Sequence, residues 1–270
     1  MDTVHIGAVE VDGLHIAYRR AGDGPPLVIL HGGLEDSRLW ADDLARLAAH
    51  TDAIAWDAPG CGRSSAVPDH WSADDWGAAV VDFVDALGLD RPVLAGFSLG
   101  SVLALLAARR RPARFGGLVL IGPYAGWSGS LAPEEVAARV AAMRATAQHP
   151  VQSWADEFLD TVYPPDADPA RRALARAGLD DWRPATTLRL LDAMLVDLRP
   201  DLPSIDVPSV VVRGERDERS PRQSALDMVA ALPHARFIEI PDAGHDCAGR
   251  DLDRVLVDAA RHAASGGPGR

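Results

Sequence analysis

Residues 94–104 read LAGFSLGSVLA, and this stretch decides the fold. An apolar run leads into Ser98 and an alanine- and leucine-rich run follows Gly100, so the sequence predicts a buried strand, a tight turn and a helix. The backbone of a serine in such a turn is strained, and the residues two positions away on each side must be small, a need that Gly96 and Gly100 meet. The turn would hold the Ser98 hydroxyl at the positive end of the helix, which makes Ser98 the candidate nucleophile.

The last third of the chain supplies candidates for the base and the acid that a serine nucleophile needs. Asp217 follows a strand-like run of valines, and His245 follows the next strand-like run. Glu215 and Asp242 compete with Asp217 for the role of the acid. Glu215 lies too near the end of its strand, and Asp242 comes so soon before His245 that it is better suited to shaping that turn. The sequence therefore predicts His245 as the base and Asp217 as the acid.

The order Ser98, Asp217, His245 resembles the α/β-hydrolase superfamily, whose triads run serine, acid, histidine along the chain. The resemblance covers essentially the whole chain, and the overall pattern looks like the enol-lactonase and small-esterase branch. It implies a serine hydrolase in which His245 takes the proton of Ser98, while Asp217 fixes the tautomer of the histidine and stabilises its cation.

The same resemblance implies where the oxyanion hole lies. One backbone N–H group would come from Leu99, directly after the nucleophile, as it does in the superfamily. The other would come from Gly33, in the loop that follows an early strand, with Leu34 as the alternative. In this loop we expect His31 to brace the backbone and to have no part in the chemistry.

Strand-like and helix-like runs alternate along most of the chain. A hairpin spans about residues 3–20, and six further strands are predicted near residues 27–31, 53–57, 92–97, 117–121, 207–213 and 235–240. Helices are predicted near residues 37–49, 72–87, 99–110, 220–231 and 249–263. This alternation predicts an α/β protein with a mostly parallel eight-stranded sheet and helices on both faces, and the resemblance makes it an α/β-hydrolase fold.

The alternation stops between residues 125 and 203, where no strand-like run occurs. Prolines separate helix-like pieces near residues 133–147, 150–162, 168–178 and 184–198. We expect residues 125–203 to form an inserted helical cap on a core made from residues 1–124 and 204–270. Aromatic side chains in and around this segment suggest an apolar pocket above the nucleophile. The candidate substrate-binding residues are Leu34, Tyr124, Trp127, Trp154 and Trp182.

Composition and charge argue against several classes of function. Of the 270 residues 47% are hydrophobic, and a formal net charge of −12 argues against nucleic acids and anionic membranes as partners. The two cysteines show no metal or disulfide spacing and no nucleotide-binding loop occurs, so we expect neither a metal nor a cofactor. The first residues lack signal-peptide features and no apolar run is long enough to cross a membrane, which predicts a cytoplasmic protein. The expected partner is a small-molecule substrate, and the oligomeric state stays open.

Together these features predict a serine hydrolase that cleaves an ester or lactone of a small, largely apolar substrate. Carbon–carbon bond hydrolases, lyases and biosynthetic cyclases or acyltransferases use the same triad, so these remain alternatives. A ligand-binding receptor of this fold, which can keep an intact triad with slow or no turnover, is a further one. The sequence does not name the substrate.

Overall fold

The computed structural model describes residues 3–266, in which eight strands form one sheet. In chain order the strands are β1 (His5–Val11), β2 (Leu14–Ala21), β3 (Pro26–Leu30), β4 (Asp52–Trp56), β5 (Val93–Phe97), β6 (Gly117–Ile121), β7 (Ser209–Gly214) and β8 (Ala235–Ile240). Their order across the sheet is β1-β2-β4-β3-β5-β6-β7-β8. Strand β2 pairs antiparallel with β1 and β4, and all the other pairs are parallel. The predicted eight-stranded, mostly parallel sheet is therefore confirmed.

Nine α-helices occur within residues 3–266. They are α1 (Ala41–Leu47), α2 (Ala73–Ala86), α3 (Leu99–Arg110), α4 (Pro133–Thr146), α5 (Ala155–Val162), α6 (Pro169–Leu179), α7 (Pro184–Met194), α8 (Arg222–Ala231) and α9 (Arg250–Ala264). Helix α5 begins later than predicted, because a short 3-10 turn at Val151–Ser153 follows Pro150. Among these helices none combines the length and the apolar character that a bilayer crossing would require.

The sheet is buried on both faces, because alternate residues of its central strands feed two separate cores. In β3, Val28 and Leu30 pack with α2 and α3 on one face, whereas Leu27 and Ile29 pack with α1 and α9 on the other. Side chains alternate between the faces of a strand, so a fully apolar strand is what such a double burial requires. The layers are helix, sheet and helix, and the carboxyl ends of the parallel strands meet at one edge.

The segment at residues 125–203 contains α4 to α7 and no strand. Helix α7 packs against α2 and α3, α4 packs against α7, and α5 packs against α6. None of the residues of α4 is buried, whereas Leu190 and Leu191 of α7 belong to the core that also contains α2 and α3. This segment therefore joins the α/β layers through α7 on one face of the sheet and through buried residues of α5 and α6, such as Leu159 and Leu179, on the other.

Candidate active site

Ser98 occupies the sharp turn between β5 and α3. Its backbone has φ 50° and ψ −111°, a conformation that side chains other than glycine rarely adopt. A Cβ atom at Gly96 would lie 2.2 Å from the Gly100 carbonyl oxygen, and one at Gly100 would lie 2.0 Å from that of Leu30. Both positions therefore need glycine, as the sequence pattern indicated. The Ser98 N–H donates to the Ile121 carbonyl at 2.8 Å, which fastens the turn to the end of β6.

Asp217 lies in the loop after β7, in hydrogen-bond contact with His245 after β8. Its Oδ2 accepts from His245 Nδ1 at 2.9 Å, and its Oδ1 accepts from the backbone N–H groups of Arg219 at 2.8 Å and Ser220 at 3.0 Å. Burial alone would raise the pKa of this carboxyl, but the charge and hydrogen bond of His245, together with the two N–H groups, hold it below its usual value. Asp217 is therefore ionised at neutral pH.

His245 is 3% exposed and presents one free ring nitrogen. Because Asp217 fixes Nδ1 as the protonated atom, Nε2 is left as the acceptor, and within residues 3–266 it has no hydrogen-bond partner. Burial lowers the pKa of His245, while Asp217 acts in the opposite direction. A Cβ atom at Gly122 (φ 51°) would come within 2.8 Å of Cε1 of the ring, so the glycine makes room for the imidazole. The arrangement provides a neutral, oriented base at neutral pH.

Ser98 and His245 line the same cavity, although no hydrogen bond joins Ser98 Oγ to His245 Nε2 within the part of the chain that the structure describes. In structures without substrate such catalytic contacts are often long. The competing acids lie elsewhere: Glu215 Oε2 accepts from the Asp242 N–H at 3.1 Å, and both residues are exposed. Asp242 itself has φ 57°, which is in keeping with a residue that shapes the turn before the histidine.

The loop after β3 is held by His31. The Ala58 N–H donates to His31 Nε2 at 3.0 Å, so the ring proton is on Nδ1, which donates to the Gly32 carbonyl at 2.7 Å. Burial lowers the pKa of His31 and keeps the ring neutral. Leu34 has φ 65°, so the backbone turns sharply directly after Gly33. His31 therefore braces the loop, away from the lining of the cavity.

Gly33 and Leu99 border the cavity beside Ser98. Among the described residues neither of their backbone N–H groups donates a hydrogen bond to the protein. The Leu99 N–H belongs to the first turn of α3, where helical N–H groups have no partner and carry the positive end of the helix dipole. The two predicted donors are thus available for a negatively charged oxygen.

The wall of the cavity is mostly apolar. Besides the glycines of the loop, Ser98 and His245, it contains Leu34, Glu35, Phe97, Leu99, Tyr124, Trp127, Met143, Phe158, Val162, Leu190, Met194 and Arg219. Three of the five predicted substrate-binding residues are among them: Leu34, Tyr124 and Trp127. Helices α4, α5 and α7 supply Met143, Phe158 and Met194, so the helical segment forms part of the wall.

Trp154 and Trp182, also predicted to bind substrate, do not line this cavity. Their rings pack edge to face with centroids 5.1 Å apart. The Trp154 indole N–H donates to the His149 carbonyl at 3.3 Å, and that of Trp182 donates to Thr187 Oγ1. Each indole therefore satisfies its polar atom within the helical segment. Trp182 also borders a smaller neighbouring cavity together with Leu34 and Leu190.

Glu35 and Arg219 are ionisable wall residues that the sequence did not indicate. Glu35 Oε2 accepts from the Gly32 N–H at 3.0 Å. Burial raises the pKa of the Glu35 carboxyl to about 8, and Asp246 adds to this, while Arg171 opposes it. The one signal for Arg219 was its place in the loop that contains Asp217. Within residues 3–266 no group of histidine, cysteine and acidic side chains has an arrangement that could hold a metal ion.

The chain has relatives of similar length. It is 30% identical to the "Putative carbamate hydrolase RutD" of Pseudomonas savastanoi pv. phaseolicola over 86% of this chain and 91% of that protein. It is 28% identical to the 2-hydroxy-6-oxononadienedioate/2-hydroxy-6-oxononatrienedioate hydrolase of Paraburkholderia phymatum over 86% of this chain and 85% of that protein.

The fold is shared with solved structures. The enol-lactonase of Burkholderia xenovorans superposes with a TM-score of 0.82 at 23% identity, covering 96% of this chain and all of that one. The model of the alpha/beta hydrolase family matches residues 27–259, which include the turn at Ser98 and both strand-end loops that hold Asp217 and His245. The chain therefore belongs to the alpha/beta hydrolase family.

Proposed function

We propose that the protein is a serine hydrolase that cleaves an ester or lactone of a small, largely apolar substrate. The observation that supports this most strongly is the buried Asp217–His245 pair, joined at 2.9 Å. His245 lines the same cavity as Ser98, and its Nε2 has no hydrogen-bond partner among residues 3–266. A nucleophile, an oriented neutral base and an ionised acid in one apolar cavity are the parts that acyl transfer requires.

The first half of the reaction forms an acyl-enzyme. Ser98 Oγ attacks the carbonyl carbon while His245 Nε2 takes its proton, and Asp217 stabilises the resulting imidazolium. The N–H groups of Gly33 and Leu99 bind the oxyanion of the tetrahedral intermediate. The carbon–oxygen bond to the leaving group then breaks, and His245 returns the proton to the leaving oxygen.

The second half releases the acid. A water molecule gives a proton to His245 Nε2 as its oxygen attacks the acyl carbon, and the same two N–H groups bind the second oxyanion. Collapse of this intermediate breaks the bond to Ser98 Oγ, which takes the proton back from the imidazolium. Residues 125–203 act as a cap in this proposal, because Met143, Phe158 and Met194 of its helices supply apolar wall and so select substrates by shape.

Hydrolysis of a carbon–carbon bond is the second candidate, and it is favoured by the relative from Paraburkholderia phymatum, which is named as a hydrolase of an oxo-dienedioate. In that reaction the leaving group is a carbon that must be protonated. Ser98, His245 and the two N–H groups would serve it as well, so the triad does not distinguish the two. The difference lies in the substrate that is turned over.

A labelling experiment combined with a turnover assay tests the proposal. The protein is incubated with a fluorophosphonate, the labelled peptide is identified by mass spectrometry, and hydrolysis of 4-nitrophenyl butyrate is followed in parallel. We expect label on Ser98 and steady turnover. Ser98→Ala should lose both, with at least about a 10⁴-fold fall in kcat/KM, because no other group replaces the nucleophile.

Ser204→Ala is the matched control, since Ser204 is exposed and its hydroxyl donates only to the nearby Asp201 carbonyl at 2.7 Å. It should behave as the wild type. Ester turnover that survives in folded Ser98→Ala protein would overturn the serine mechanism. Rapid labelling of Ser98 without ester turnover, together with cleavage of a 1,5-diketone, would favour the carbon–carbon hydrolase.

A further inference from the structure

Arg219 is a cation in the cavity wall, and within residues 3–266 no carboxylate forms a salt bridge with it. Its Nη1 donates to Thr161 Oγ1 of α5, and its guanidinium lies over the Phe158 ring with Cζ 5.4 Å from the ring centroid. These contacts use one N–H and one face of the group. The remaining N–H groups of the guanidinium have no partner among the described residues.

Neighbouring arginines are neutralised, unlike Arg219. Each of three neighbours forms a salt bridge with an acidic side chain. The nitrogen-to-oxygen distances are 2.6 Å for Arg139 Nη2 to Glu135 Oε1, 3.0 Å for Arg216 Nη1 to Asp166 Oδ2 and 3.0 Å for Arg222 Nε to Glu239 Oε1. The protein has a formal net charge of −12, so acidic partners are abundant. Arg219 differs from these three arginines because its guanidinium borders a largely apolar cavity and has no acidic partner among the described residues.

Among residues 3–266 the acids closest to Arg219 form no salt bridge with its guanidinium. The carboxylate of Asp217 is taken up by His245 and by backbone N–H groups. Glu35 shares the cavity wall, but burial raises its pKa to about 8, so most of its population is protonated at pH 7. Burial lowers the pKa of Arg219, yet an arginine stays protonated at neutral pH. The guanidinium of Arg219 therefore borders the cavity as a cation that no carboxylate of residues 3–266 pairs with.

The backbone fixes Arg219 relative to the triad. Its N–H donates to Asp217 Oδ1 at 2.8 Å, and its carbonyl accepts from Tyr124 Oη at 2.6 Å and from Arg139 Nη2 at 2.9 Å. A ligand bound to the guanidinium would thus be positioned by the same loop that orients the catalytic acid. Two N–H groups of a guanidinium match the two oxygens of a carboxylate.

We propose that the substrate carries a carboxylate, which Arg219 binds while the ester or lactone carbonyl lies at Ser98. The proposal rests on the serine hydrolase function proposed above and adds a substrate class to it: small apolar esters or lactones with one acidic group. Arg219 is a specificity-determining residue in this view, and the apolar wall binds the rest of the molecule.

The test compares each anionic ester with its neutral methyl ester, in two pairs that place the charge on either side of the scissile bond. Mono-4-nitrophenyl adipate is paired with methyl 4-nitrophenyl adipate, and 3-acetoxybenzoate with methyl 3-acetoxybenzoate. The wild type should prefer the anion in at least one pair by about 10- to 100-fold in kcat/KM, the range of a charge-assisted hydrogen bond. Arg219→Gln should abolish that preference by raising KM for the anion, so that the anion and the neutral ester of each pair are turned over alike, and Arg219→Lys should restore part of the preference.

Arg222→Gln is the matched control. Arg222 also lies over an aromatic ring, with Cζ 5.5 Å from the centroid of Phe237, but it is exposed and outside the cavity. The Arg222→Gln substitution removes one positive charge from the protein, as Arg219→Gln does, and should leave the preference for the anionic ester intact. A purely structural role of Arg219 would lower turnover of both members of each pair alike, which would overturn the proposal.

A binding measurement decides the question without turnover. Hexanoate should raise the melting temperature of the wild type more than hexanamide does, and this difference should vanish in Arg219→Gln. If the fluorophosphonate did not label Ser98 and no ester of either pair were turned over, only the proposal of a serine hydrolase would be contradicted. Ester turnover through Ser98 with no anion preference in either pair, and equal stabilisation by hexanoate and hexanamide, would overturn the carboxylate proposal alone.

Discussion

Helices α3 and α4 are similar in length but are held in the molecule in opposite ways. Of the 12 residues of α3, all except the two C-terminal arginines are buried, whereas none of the 14 residues of α4 is. Helix α3 begins directly after the proposed nucleophile and packs against β3, β5 and α2. Helix α4 contributes Met143 to the cavity wall from a largely exposed position.

This difference separates the groups that must stay fixed from those that can vary. The parts proposed for chemistry lie where the carboxyl ends of the parallel strands meet the start of α3, and there a Cβ atom at Gly96 or Gly100 would clash with the backbone. The parts proposed for selectivity lie partly on helices with few buried residues, where side chains can change at low cost in packing. Substitutions in the two regions should therefore give different kinds of effect.

The largest expected effect concerns the buried edge of the sheet. Asp217→Asn should lower kcat/KM for 4-nitrophenyl butyrate by about 10⁴-fold, because an amide at this position favours the wrong tautomer of His245. Asp242→Asn is the matched control: Asp242 is exposed, and asparagine tolerates its φ of 57°. It should keep nearly wild-type activity. A larger loss for Asp242→Asn than for an equally stable Asp217→Asn protein would show that the acid has been misassigned.

The contrast between the helices can be measured as stability. Leu103→Ala in α3 should reduce the free energy of unfolding in urea by about 3 kcal/mol, since Leu103 is fully buried and its loss leaves a cavity. Met143→Ala in α4 should cost about 1 kcal/mol or less, because Met143 is only partly buried. Met143→Ala should instead shift the preferred acyl chain length of 4-nitrophenyl esters. Equal losses of stability in the two variants would contradict the division between the regions.

The smallest expected effect is on the pH dependence of kcat/KM, whose midpoint should lie below the ordinary histidine pKa of 6.5. Protonated His245 cannot accept the serine proton, so kcat/KM should fall as the pH drops through the pKa of this histidine. Because burial lowers that pKa from 6.5, the half-maximal rate should lie on the acid side of pH 6.5. Met143→Ala should have the same midpoint, since Met143 is uncharged and its loss leaves the hydrogen bond between His245 and Asp217 in place. A midpoint clearly above 6.5, with chemistry shown to be rate-limiting, would contradict the burial of the base.

The sheet could be predicted from the sequence because strand burial leaves a direct signal. Runs such as LVIL at residues 27–30 and GLVLI at residues 117–121 are apolar on both faces, and each becomes a central parallel strand. The turn at Ser98 also leaves a signal in the sequence, because a Cβ atom at Gly96 would lie 2.2 Å and one at Gly100 2.0 Å from a backbone oxygen, so both positions require glycine.

The wall of the cavity was harder to predict, because its composition depends on how separate helices face one another. Trp154 and Trp182 look like pocket residues in the sequence, but each turns its indole N–H to a partner close by in the chain. Arg219 lacked any periodic signal, since it lies in a loop. Its proposed role depends on having no acidic partner among the described residues, and the pairing of a loop arginine is a property of the folded chain that the sequence does not reveal.

The close approach of Gly100 to Leu30 has a consequence for the speed of the proposed reaction. It brings the first turn of α3, which contains the Leu99 N–H group, against the end of β3, which leads into the loop of Gly33. In water, solvent dipoles must rotate toward a newly formed oxyanion, and that reorganisation is part of the activation barrier. In the proposed reaction both N–H groups border the cavity before substrate arrives, so part of that solvent reorganisation is replaced by the folding of the chain.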